Sequence, residues 1–151
     1  MAGHAPKLEI DASDLAVTIL VTSWHTEITA ALLAGAERSL KAAGNDVYSI
    51  VRVPGAFELP LAAKWAAEEE ADVIIALGVV IQGETPHFEY VCNAATDGLT
   101  RVQLDYGVPI GFGLLTVDNA QQALDRAGLP NSKEDKGAEA VEAAVMMARL
   151  R

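Results

Sequence analysis

Apolar and polar positions along the chain switch repeatedly between a strand-like and a helix-like period. Residues 15–21 ("LAVTILV") form a strand-like apolar run. Residues 26–43 have helical composition and stop at Gly44, a residue suited to the position just past a helix end. Residues 47–53 ("VYSIVRV") are β-branched and mixed in polarity, as an edge strand is. After the turn signal Pro54-Gly55, residues 57–70 predict a helix. Residues 73–80 ("VIIALGVV") are almost wholly apolar, the pattern of a buried parallel strand. Residues 86–105 predict a helix with Phe88, Val91, Cys92, Ala95, Leu99 and Val102 on one face. Residues 108–116 predict a fourth strand. Asp118 with Gln121 predicts a capping-box start for a short helix that stops at Gly128, and Ser132 is expected to open a last helix running towards Leu150. Near the start, residues 7–10 ("KLEI") predict a short strand with no obvious partner in the chain.

Strand alternating with helix four times implies a parallel sheet covered on both faces. Right-handed crossovers leave few topologies. The pattern predicts an α/β, flavodoxin-like three-layer sandwich with a four-stranded parallel sheet in the order 2-1-3-4. The chain is expected to form one domain over 1–151, with 1–13 as a tail whose short strand adds to the sheet of a neighbouring subunit. Sheets of this kind bind ligands outside the carboxyl ends of their strands. The segments to inspect are therefore "SWHTE", "VPGAFE", "IQGETPH" and the turn after Thr116.

Composition narrows the classes of function. Half of the 151 residues are hydrophobic, which fits a globular chain, and no run of ~18 apolar residues is present to span a membrane. The first residues carry neither the basic nor the apolar region of a signal peptide. A single cysteine, Cys92, excludes an internal disulfide and suits a reducing cytoplasm. A net charge of −10 argues against nucleic acid or an anionic membrane as partner. An anionic small molecule would need a local cationic or backbone-amide site. Three scattered histidines and one cysteine do not make a metal site.

The segment Gly83–His87 is the strongest candidate for such an anion site. Thr85 is a good N-cap and Pro86 fits the first helical position, while Gly83 lets the backbone turn tightly and approach a ligand. Free N–H groups at the positive end of a helix dipole attract anions; the same residues also make an ordinary capped helix start. His87 falls in the first helical turn, where the dipole disfavours imidazolium, and a neutral ring at a strand-end crevice can pass protons. Trp24 is either a core residue or a flat stacking surface. Glu58, after Phe57, could accept hydrogen bonds from ligand hydroxyls or simply favour its helix start. Arg126 suits a helix C-terminus on structural grounds alone, and Lys136 belongs to a charge cluster of the kind that is usually solvated.

The segments "TSWHTEI", "RVPGAFELP", "ALGVVIQGETPHFEYVC", "GVPIGFGLLT", "QALDRAGLP" and "EDKGAEA" together resemble the 6,7-dimethyl-8-ribityllumazine synthases of riboflavin biosynthesis, in the family's order and across nearly the whole chain. The "SWH" and "RAGLPNSKEDKG" forms are most similar to actinobacterial members. The resemblance implies a transferase that condenses a ribitylaminopyrimidine with a butanone phosphate, with no cofactor and no metal. Carried over by position, it implies that Trp24 stacks on the pyrimidine. Ala56, Phe57 and Glu58 would hold the ribityl chain, and Val79, Val80 and Ile81 would line the pocket. Gly83, Glu84 (through its backbone) and Thr85, with Arg126, would bind phosphate, and His87 would transfer protons. Lys136 would contact the pyrimidine side and Phe112 would come from a neighbouring subunit. Gln82 stands where most members have arginine. The resemblance further implies a homopentamer with active sites between subunits, and the long connector "GLPNSKEDKG" favours pentamers over closed shells. Another reading of the same fold is a non-catalytic flavin- or nucleotide-binding or shell-forming protein.

Overall fold

Four apolar runs become the strands β1 (Val17–Thr22), β2 (Ser49–Val53), β3 (Val73–Ile81) and β4 (Ile110–Val117), in a computed structural model that describes residues 3–151. Met1 and Ala2, at the head of the expected tail, lie outside the described residues. All pairings are parallel and the order is β2-β1-β3-β4, as predicted. The helices are α1 (Thr26–Ala42), α2 (Leu59–Glu68), α3 (His87–Tyr106), α4 (Ala120–Leu124) and α5 (Lys136–Ala148), with a 3-10 turn at Ala56–Glu58 before α2.

Side chains along a strand point to opposite faces in turn, and β3 uses both. Val73, Ile75, Leu77 and Val79 face the layer of α1 and α5, where they meet Ile28, Leu32, Leu40, Val141 and Val145. Ile74 and Ala76 face α2 and α3, where they meet Leu59, Ala63, Ala95 and Leu99. The first seven residues of β3 are buried. Truncating one of them, such as Ile75→Ala, would cost about 2–5 kcal/mol. The end of β3 is thus a rigid base for whatever follows it. The outer strand β2 is exposed at its first four positions, which accounts for its mixed polarity.

Several starts and stops differ from the sequence expectation, and each has a local cause. Asn119, not Asp118, caps α4: its side chain accepts from Gln122 N at 2.9 Å, while Gln122 Oε1 accepts from Asp118 N at 2.7 Å. Asparagine competes well for this role. Helix α4 then ends at Leu124, short of the predicted stop at Gly128. Helix α5 begins at Lys136 because Asp135 caps it, accepting from Ala138 N at 3.1 Å. The hydroxyl of Ser132 is used otherwise: it donates to Leu124 O and accepts from Leu129 N at 2.9 Å, which ties a loop. Residues 7–10 make no strand ladder among the described residues. They lie over α1 and α5, and Ile10 packs on that layer's core. No helix among the described residues is long and apolar enough to cross a membrane.

Candidate active site

The sheet order places β1 beside β3, and the chain leaves these two strands towards opposite faces. Helix α1 goes to one layer and α3 to the other. A crevice opens at such a switch point. Four segments contribute to the strand-end surface around it.

The turn after β1 is stitched to the end of β2. Ser23 N donates to Pro54 O at 3.3 Å and Ser23 Oγ donates to Val53 O at 2.8 Å. The next residue, Trp24, is 66% exposed, so it is not a core tryptophan. His25 then adopts a left-handed conformation, φ 55 and ψ 65, as it leads into α1. A non-glycine residue there costs on the order of 1–3 kcal/mol, and such outliers concentrate at functional sites. The His25 ring lies 6.3 Å from that of Trp24, tilted by 46°. After β2, Gly55 gives the indole room: a Cβ there would sit 3.3 Å from Trp24 Cδ1 and Nε1. The following 3-10 turn buries Ala56 and leaves Phe57 65% exposed.

After β3, Gln82 N donates to Val117 O at 2.9 Å, so the β3–β4 pairing continues to this point. Gly83, Glu84 and Thr85 are exposed. Helix α3 starts at His87, so Pro86 rather than Thr85 takes the N-cap position and no side chain caps the helix there; Thr85 lies one residue earlier, its Oγ1 accepting from His87 N at 3.4 Å. The tight-turn argument for Gly83 fails, because its φ lies outside the left-handed region and a Cβ there would meet nothing within 4 Å. What remains is the open space itself, into which a ligand can come close to the backbone. After β4, Arg126 lies beyond the end of α4, and its Nη1 donates to Gln122 O at 2.8 Å.

These turns enclose a cavity of about 320 Å³ lined by Trp24, His25, Phe57, Glu58, Val79, Val80, Ile81, His87 and Val91. Seven of those residues are site candidates from the sequence. Ala56 is buried beside them, and Gly83–Thr85 spans the gap between Ile81 and His87. Phe112 and Lys136 are not in this cavity. They line a second hollow of about 360 Å³ beside the open edge of β4, together with Met147. Arg126 lines neither. His25 and Val91 also line the cavity, and neither is a site candidate from the sequence. His25 could have been found as the neighbour of the strand-end tryptophan, and Val91 as the residue one helical turn beyond His87.

Lys136 is not simply solvated. Its Nζ pairs with Glu134 at 2.6 Å and Glu139 at 3.0 Å. The bond to Glu134, supported by the one to Glu139, holds the ammonium above its ordinary range. The same bond to Lys136 holds the Glu134 carboxyl below its ordinary range. No group of three or more His, Cys, Asp or Glu among the described residues is arranged to hold a metal ion.

A profile of the 6,7-dimethyl-8-ribityllumazine synthase family matches residues 14–151. The chain belongs to this family. It is 58% identical, over 99% of its length, to the 6,7-dimethyl-8-ribityllumazine synthase of Clavibacter sepedonicus, of which 96% is covered. It is 61% identical to that of Leifsonia xyli subsp. xyli, over 92% of this chain and 87% of the relative. It is 59% identical to that of Kineococcus radiotolerans, over 93% of this chain and 88% of the relative. The lumazine synthase family match takes in every strand and helix described above, and with them all four strand-end segments.

Proposed function

We propose that this chain is a transferase that condenses 5-amino-6-(D-ribitylamino)uracil with 3,4-dihydroxy-2-butanone 4-phosphate to 6,7-dimethyl-8-ribityllumazine, in riboflavin biosynthesis. The observation that carries the proposal is the single cavity in which Trp24, Phe57–Glu58, Val79–Ile81 and His87 converge from three separate turns. The open face of Trp24 stacks on the pyrimidine. Ala56, Phe57 and Glu58 hold the ribityl chain, with the Glu58 carboxylate accepting from its hydroxyls. The apolar ends of β3 exclude water. The backbone of Gly83–Thr85, at the start of α3, takes the phosphate, with Arg126 supplying a guanidinium fork. Glu84 acts through its backbone only, since its carboxylate would repel phosphate.

The reaction needs positioning and proton transfer. The 5-amino group adds to the ketone carbon and loses water to give an imine. Phosphate then leaves, and the ribityl-bearing nitrogen closes the ring with loss of a second water. His87, at the first position of α3 and in the cavity wall, moves protons between substrate and leaving groups. The residues carry this chemistry with no metal or cofactor.

The cavity is small for two substrates, at the low end of the ~300–1,000 Å³ usual for ligand sites. Phe112 and Lys136 lie outside it, beside the open β4 edge. Both facts support a site completed by a neighbouring subunit, with Phe112 and Lys136 delivered from the next copy in a homopentamer. Residues 7–10, unpaired among the described residues, would add a strand to that neighbour's sheet. We take 1–151 as one domain and the cytoplasm as its location, where the lone thiol of Cys92 stays reduced. A non-catalytic binding or shell-forming protein is not favoured, since neither needs a histidine beside the anion loop.

The test is to incubate the purified chain with both substrates and follow lumazine fluorescence and phosphate release together. The expected result is one phosphate per lumazine, and none when either substrate is omitted. Product at the uncatalysed rate would refute the assignment.

A further inference from the structure

Arg126 lies beyond the last residue of α4, and its guanidinium is tied back to that helix, Nη1 donating to Gln122 O at 2.8 Å. Helix α4 has five residues and ends before it, and so short a helix cannot stabilise itself. What holds the chain here is a small main-chain clasp. Ala127 and Asp135 form an isolated antiparallel bridge. On one side of it Lys136 N donates to Arg126 O at 3.0 Å, and on the other Gly128 N donates to Glu134 O at 3.0 Å. Asp125 O closes the clasp by accepting from Lys133 N at 2.7 Å and Glu134 N at 3.0 Å.

Arg38, on the exposed side of α1, ties this clasp to the rest of the fold. Its Nη2 donates both to Gly128 O at 3.3 Å and to Asp135 Oδ2 at 3.1 Å, so it spans the two arms. The other carboxylate oxygen of Asp135 caps α5 through Ala138 N. The carboxylate itself is confined by two glycines. A Cβ on Gly35 of α1 would lie 2.2 Å from Asp135 Oδ1, and one on Gly128 would lie 2.5 Å from its Cγ. Three elements therefore meet on one carboxylate: α1 through Gly35 and Arg38, the clasp through Gly128, and the start of α5.

We propose that Arg38 and Asp135 are positioning residues for phosphate binding, holding the clasp so that Arg126 presents its guanidinium in a fixed direction. The inference rests on the assignment of Arg126 to the phosphate. Neither Arg38 nor Asp135 touches substrate. A helix cap with a surface ion pair would stabilise the fold alike for both substrates, whereas a positioning pair acts on one.

Arg38→Met leaves the Asp135 cap intact and removes only the tie. Exposed pairs of this kind are worth a modest amount, so KM for the butanone phosphate should rise by about two- to fivefold. KM for the pyrimidine should stay at its wild-type value, while the melting temperature falls by no more than about 4 °C, the most that an exposed pair is worth in a chain of this size. Asp135→Asn, which keeps the cap acceptor and loses the charge, should give the same shift, and Arg38→Lys should restore part of it. The decisive arm is the double variant Arg38→Met/Arg126→Ala. If Arg38 acts through Arg126, the double variant is no worse than Arg126→Ala alone. Losses that multiply in full, or equal rises for both substrates, overturn the positioning role while leaving Arg126 in place. If Arg126→Ala itself leaves KM for the butanone phosphate unchanged, the phosphate assignment falls and the positioning role with it.

Discussion

Removing the indole of Trp24 should weaken pyrimidine binding far more than it weakens the fold. The residue is 66% exposed, so most of its ring is free to take a ligand. A large aromatic side chain offers about 150–250 Å² of surface, of which two-thirds, or ~130 Å², is open here. A planar ligand stacked on one face covers about half of that, and ~65 Å² at about 25 cal/mol per Å² gives ~1.6 kcal/mol. The geometric preference for offset stacking adds about 0.5–1.5 kcal/mol. The total of ~2–3 kcal/mol corresponds to roughly 30- to 150-fold in affinity. Calorimetric titration of wild type and Trp24→Ala with the lumazine product measures the change directly. Trp24→Phe should recover most of the affinity, since it keeps an aromatic face. In a Trp65→Phe background, which removes the other and also exposed tryptophan, ligand should quench the remaining fluorescence. An affinity in Trp24→Ala within about twofold of wild type would refute the stacking argument.

The other expectations are briefer. His87→Ala should lower the turnover number by ~10²-fold, the low end for general acid–base groups, with little change in substrate binding; unchanged turnover from pH 6 to 8 would remove His87 from the chemistry. Tyr48 is pushed up to about 12 by its hydrogen bond to Glu37 and then by burial. Its folded value lies above the ordinary 10.0, so its contribution to stability is whole below pH 10 and is lost as pH rises through about 12. The stability difference between wild type and Tyr48→Phe should therefore be constant at neutral pH and shrink across that alkaline window, and denaturant melts that stay parallel there would contradict the pairing. Light scattering should give a species near five times 15.9 kDa, whereas a sixty-subunit shell, or a monomer that is active, would overturn the assembly proposed above.

Much of this architecture is legible in the sequence because burial leaves a strong pattern. The continuous apolar run of β3 and the mixed polarity of β2 separate a central strand from an edge strand, and that difference is what the order β2-β1-β3-β4 displays. The cavity is legible for a related reason, since its aromatic and acidic residues sit at strand ends where the chain turns. Starts of elements are harder to read. Asp118 and Asn119 are both plausible caps, and only the tertiary setting selects Asn119. Ser132 looks like a helix start but ties a loop, because its hydroxyl lies within reach of Leu124 O and Leu129 N across the fold. The left-handed turn at His25 is not marked in the sequence, because histidine, though enriched at positive φ, is far commoner in ordinary conformations. Trp24 alone could have been core or surface, and only the fold shows it exposed, with Gly55 of another turn close beside the indole.

The most direct measurement is a structure of the oligomer with 6,7-dimethyl-8-ribityllumazine and inorganic phosphate bound. The ring system should lie face-on to Trp24, with its ribityl chain running to Phe57–Glu58. Phosphate should rest on the amides of Gly83–Thr85 beside His87, with Phe112 of the partner subunit against the open side. A lumazine bound away from the strand ends, or one enclosed by a single chain, would contradict the account.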